Sequence, residues 1–132
     1  MKYFTIRELT KSDTALKLGI PNNPNETQEK NMVELIEGLL DPVRIAYGKP
    51  IYINSGFRSE ALNKAVNGSK TSQHMKGQAA DIDTRKGKKE NKKLFELIRD
   101  NFTFDQLIDE KDLSWIHVSF VQSNRKQVLK IG

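Results

Sequence analysis

Apolar positions along the chain repeat with two periods, and each period marks one kind of element. Met32, Leu35, Ile36, Leu39, Leu40 and Val43 recur at steps of three and four, the signature of a helix with one face turned to a core. Asn25 and Gln28 form a capping pair at its start, and Tyr47-Gly48 closes it. Pro42 falls inside the stripe and has no N–H for the Gly38 carbonyl, which predicts a kink or a restart. Leu94, Phe95, Leu97 and Ile98 mark a second helix from about Lys89 to Asn101. Shorter helices are signalled by their caps: Thr5-x-x-Glu8, then Ser12 or Asp13 leading to Leu18 before Gly19 and Pro21. A third starts at Ser59 and runs through Leu62 and Val66 to the stop at Asn67-Gly68.

Strict alternation predicts strands at Ile51–Asn54, Ala80–Asp83, Phe104–Ile108 and Trp115–Phe120. The last two read as a hairpin about a turn at Asp109–Asp112. The polar, basic segment from Gln122 to Gly132 contains Val128, Leu129 and Ile131, and reads as a short closing strand or a loosely ordered end. The expected fold class is α+β: one small domain over residues 1–132, with an antiparallel sheet and helices packed on one side.

Composition narrows the partners. At 132 residues the chain is long enough for one core without staples. The absence of cysteine removes disulfide frameworks and thiolate metal sites. Met1–Glu8 has no apolar signal-peptide core, and no stretch approaches the ~20 apolar residues of a membrane span. A soluble monomer made in the cytosol is therefore expected. The net charge of +5 equals the net charge of residues 85–93 alone. Such a cluster suits nucleic acid or an anionic wall polymer, but no aromatic is interleaved with it, so no nucleic-acid partner is expected.

The candidate chemistry rests on the only two histidines, His74 and His117. His74 precedes the strand containing Asp81 and Asp83, and His117 lies within the strand Trp115–Phe120. Two imidazoles and one carboxylate form the open, three-ligand kind of zinc site that leaves room for water. Asp81 and Asp83 share a strand face, so either can ligate while the other orients a ligand.

Ser72-x-His74-x-x-Gly77-x-Ala79-x-Asp81 followed by Trp115-x-His117 resembles the zinc D-Ala-D-Ala carboxypeptidases, the M15 peptidases. Ser55-Gly56-Phe57-Arg58-Ser59 and Leu62-Asn63 fit the same pattern, and the resemblance extends from about Phe4 to Phe120. It implies a zinc metallopeptidase acting on peptidoglycan peptides, with the ligands His74, Asp81 and His117 on the sheet. It also implies substrate contacts from Arg58, Ser72 and Gln73. Arginine offers a planar fork suited to a substrate carboxylate, whereas an Arg58 ion pair holding the metal loop is the structural alternative.

Many members of that family place an acid three residues before the last histidine, where this chain has Ser114. The general base then falls to Asp109, Glu110 or Asp112. Asp105-Gln106-Leu107-Ile108-Asp109-Glu110 resembles a branch with Asp-Gln-Leu-Ile-x-Glu, which favours Glu110 and leaves Asp112 second. The competing expectation is a catalytically silent zinc domain that recognises wall peptide. Lacking an export signal, a wall enzyme is released by lysis, as phage endolysins are, or recycles fragments in the cytosol.

Overall fold

The computed structural model covers Met1–Gly132, and its first half is ordered by side-chain caps. Thr5 Oγ1 accepts the Glu8 N–H at 3.1 Å and starts α1 (Ile6–Thr10). Ser12 does the same for α2 (Asp13–Leu18), which ends on Gly19 in the left-handed region. A full capping box opens α3 (Glu26–Leu35): Asn25 and Gln28 exchange two 2.8 Å hydrogen bonds.

At Pro42 the long helix neither breaks nor restarts. Residues Ile36–Leu40 widen into a π turn, with the Asp41 N–H reaching the Ile36 carbonyl, and α4 (Asp41–Tyr47) carries Pro42 in its first turn. One extra residue in the turn makes room for a ring that would otherwise meet the i−4 carbonyl. The buried carboxylate of Asp41 then ties down the start of the chain. It accepts the backbone N–H groups of Lys2, Tyr3 and Phe4 at 2.5, 3.1 and 3.1 Å.

Five strands follow: β1 (Tyr52–Ser55), β2 (Ala79–Asp83), β3 (Gln106–Glu110), β4 (Trp115–Ser119) and β5 (Gln127–Ile131). They lie side by side in the order β1-β2-β4-β3-β5. Three pairings are antiparallel, but β5 runs parallel to β3, so the tail is a closing strand and the sheet is mixed at one edge. The short helix α5 (Glu60–Ala65) and a 3₁₀ turn (Gln73–Lys76) lie between β1 and β2, and α6 (Lys88–Asn101) lies between β2 and β3.

Alternation divides the sheet into two faces. Ala80, Ile82, Leu107, Ile116 and Val118 point one way, where they pack with residues of α3, the π turn, α4 and α6 in a single buried cluster. Asp81, His117, Ile108 and Glu110 point the other way. The helices thus seal one face with apolar surface and leave the opposite face for polar groups.

The hairpin departs from expectation at its tip. β3 extends through Glu110, and the turn is made by Lys111, Asp112 and Leu113, all with positive φ between 47° and 58°. Asp109 points to the core side, where its Oδ1 accepts the Leu113 N–H at 2.6 Å. Asn91 braces the same turn by donating to the Leu113 carbonyl at 2.9 Å.

Candidate metal centre

His74 is placed by the 3₁₀ turn. Ser72 Oγ accepts the His74 N–H at 3.2 Å, and the turn ends at Gly77 with φ 74°. Gln28 and Asn31 of α3 donate to the carbonyls of Met75 and Lys76, and the Arg58 N–H donates to the carbonyl of His74 at 3.1 Å. The expected loop is therefore a turn anchored from two sides. Ser72 serves it as a cap and also lines the cavity described below.

The other two residues are placed by register. Asp81 of β2 pairs directly with His117 of β4, and His117 pairs with Ile108 of β3. His74, Asp81 and His117 are respectively 3%, 8% and 9% exposed. His74 Nε2 lies 3.2 Å and His117 Nδ1 3.1 Å from the same oxygen, Asp81 Oδ1. One ligand atom from each residue fits in a cluster spanning no more than 4.8 Å.

The donor chemistry fits a cation. His74 Nδ1 is 2.8 Å from the Gly56 carbonyl, which can only accept, so this nitrogen carries the ring hydrogen. In the neutral ring, Nε2 then presents a lone pair to a carboxylate that also presents lone pairs. A metal ion held by both groups would resolve that opposition. When both rings are instead protonated, burial works against the charge on Asp81, but hydrogen bonds from His117 and His74 outweigh it and hold the carboxyl below its usual range.

The cluster lies at an open polar cavity of about 740 Å³, lined by Arg58, Gln73, Glu110 and the three ligand residues among others. Glu110 enters this cavity from β3 and is close enough to act on the charge of Arg58. Asp112 does not. It projects from the turn, is 68% exposed, and pairs with Lys88 at 3.1 Å. Asp83 is also turned away: its Oδ1 accepts from Asn91 and from the Arg85 N–H, and it orients neither histidine.

Arg58 reaches the cavity already occupied. Nε donates to Ser55 Oγ at 3.2 Å, Nη1 donates to Asn63 Oδ1 at 3.0 Å, and Nη2 is 3.7 Å from Asp81 Oδ2. Burial lowers its pKa against the pull of Asp81 and Glu110. This is the ion-pair alternative in which Arg58 holds the ligand loop. Gln73 donates to Asp105 Oδ2 at 2.8 Å and so links the His74 turn to the entrance of β3. Asp105 also receives the fork of Arg125, Nε to Oδ1 at 2.9 Å and Nη2 to Oδ2 at 2.8 Å. Arg125 does not stand out in the sequence, because it lies 20 positions after Asp105 and only the sheet brings the two together.

The basic segment is partly committed to its own neighbours. Arg85 stacks 4.1 Å over the Tyr52 ring, Lys88 pairs with Asp112, and Lys93 pairs with Glu90.

Two imidazole nitrogens and a carboxylate meeting beside an acid in an open cavity define a candidate metallohydrolase centre. The family model described as Peptidase M15 matches residues 2–119. The chain belongs to that family of metal-dependent peptidases. No curated protein matches the sequence. Arg125 and β5 lie beyond the matched segment.

Proposed function

We propose that the protein is a zinc-dependent peptidase that hydrolyses D-amino-acid-containing peptide bonds of peptidoglycan, as a D,D-carboxypeptidase or an endopeptidase. The observation that carries this reading is the convergence of His74 Nε2 and His117 Nδ1 on Asp81 Oδ1, with Glu110 in the same cavity. His74, Asp81 and His117 would hold the ion. Bound zinc supplies Lewis acidity and lowers the pKa of a water to about 7.

The remaining work falls to the chain's own residues. Glu110 is the general base: it takes the proton of the attacking water and returns it to the leaving amine. Its place on β3, beside the strand that carries His117, meets the need left by Ser114, whose hydroxyl donates to the Lys111 carbonyl within the turn. An acid in the cavity favours hydrolysis over silent recognition of wall peptide. Arg58 holds Asp81 and the His74 turn in place, and Gln73 holds that turn against Asp105.

Digestion of purified peptidoglycan, with mass analysis of the released peptides, tests the reading. New peptide termini that appear with zinc and disappear with a chelator are expected. An undigested wall in the presence of a fully zinc-loaded protein would favour the silent domain.

A further inference from the structure

Arg58 matches the sequence pattern for a substrate clamp, yet its Nε and Nη1 donate hydrogen bonds inside the protein, its Nη2 faces Asp81 Oδ2 at 3.7 Å, and its side chain is only 15% exposed. Two other cations line the cavity. Lys76 is exposed and pairs with no carboxylate. Arg125 is 57% exposed, and Asp105 engages its Nε and Nη2 but leaves Nη1 without a protein partner. Asp105 itself is buried, with a side chain 3% exposed, and also accepts from Gln73 and from the Arg125 N–H. The guanidinium is therefore fixed in orientation before any ligand arrives, which lowers the ordering cost of binding.

We propose that Lys76 and Arg125, rather than Arg58, form the anion subsite of this cavity, and that it holds a free carboxylate on the residue adjoining the scissile bond. The proposal rests on the peptidase reading for its substrate, but the subsite can be measured without turnover. Lys76 supplies an exposed ammonium from the turn that carries His74. Arg125 supplies a fixed edge from the segment leading into β5. The two approach from different parts of the chain, so a ligand that needs both reports their tertiary placement.

The test compares one wall stem peptide with its carboxylates free against the same peptide amidated. The proteins are the zinc-loaded wild type, Lys76→Met, Arg125→Gln and, as a charge control, Lys89→Met on α6. The wild type and the control are expected to favour the free acid by about tenfold or more in kcat/KM, the scale of a charge-assisted hydrogen bond. Lys76→Met and Arg125→Gln should lose most of that preference, chiefly through KM. A preference that survives in both variants overturns the subsite, since the carboxylate would then be held elsewhere. If the wild type cuts neither peptide, the peptidase reading fails separately. Calorimetric binding of the two peptides to Glu110→Gln protein, with and without Lys76→Met or Arg125→Gln, then decides the subsite alone. Loss of acid preference in the double variants supports it, and equal binding of acid and amide overturns it.

Discussion

Glu110 and Asp112 are two residues apart, and the strand end between them separates their roles. Glu110→Gln preserves size and leaves all three candidate ligands in place, so zinc content should stay near one ion per chain while hydrolysis falls by about 10²–10⁴-fold. Asp112→Asn should leave turnover close to wild type, because that side chain is exposed and pairs only with Lys88. Steady-state rates and metal analysis on both variants check the assignment, and the reverse ranking would give the base to Asp112. The ligands have a different signature. His74→Ala or His117→Ala should lose the ion, read by metal content after gel filtration, and full occupancy in both would remove the site.

Asp105 also makes a residue-scale prediction, with a definite sign. Hydrogen bonds from Arg125, working against burial and helped by Gln73, hold its carboxyl below the usual range. A depressed folded pKa contributes stability above the unfolded value of about 3.9, and that contribution fades as the pH falls below it. Melting curves from about pH 6 to pH 3 should therefore show a steeper acid loss for wild type than for Asp105→Asn. Parallel curves would mean that the Arg125 fork adds nothing to folding.

At the scale of elements, the short turn Gln73–Lys76 is held tightly against α3. Gly77 closes it with φ 74°, and a Cβ there would lie 2.5 Å from the Gln28 carbonyl oxygen. Gly77→Ala must therefore strain the backbone and push the turn off α3. A cost of about 1–3 kcal/mol is expected, with a matching loss of zinc affinity because His74 travels with the turn. Chemical denaturation and zinc titration check the two effects. Unchanged affinity with lowered stability would show that His74 keeps its place independently of the Gln28 contact. The longer helix illustrates the opposite case: the π turn at Ile36–Leu40 absorbs Pro42 without interrupting the apolar stripe, since Leu39, Leu40 and Val43 all remain buried.

The whole molecule couples its core to its site through the sheet, whose two faces share the same strands. Ile82 and Ile116 are wholly buried under the helices, while Asp81 and His117, their chain neighbours, face the cavity. Any metal that binds the folded cluster and not the unfolded chain stabilises the whole domain. At a free zinc concentration a hundredfold above the dissociation constant this amounts to about 2.7 kcal/mol. Differential scanning calorimetry with zinc and with excess chelator should show the lower melting point in the chelator. Identical transitions would place the ion outside the cooperative unit.

Local features were legible in the sequence because they depend on residues within about four positions. The caps at Thr5, Ser12, Asn25 and Ser59 all accept the expected backbone N–H, and the stripe from Met32 to Val43 is buried throughout its apolar positions. The candidate ligands were legible for another reason: the chain has only two histidines, and their spacing resembles a known pattern. Tertiary structure decided what depends on distant pairing. The register of β3 against β4 put Glu110 in the cavity, and three left-handed residues carried Asp112 away from it. The parallel pairing of β5 with β3 ordered the tail and brought Arg125 onto Asp105. Arg58 was visible as a motif residue with Ser55 and Asn63 close by in the sequence, but the fold alone brings Asp81 to its third nitrogen. A side chain's type is written in the sequence, whereas which of its donors remain free depends on neighbours supplied by the fold.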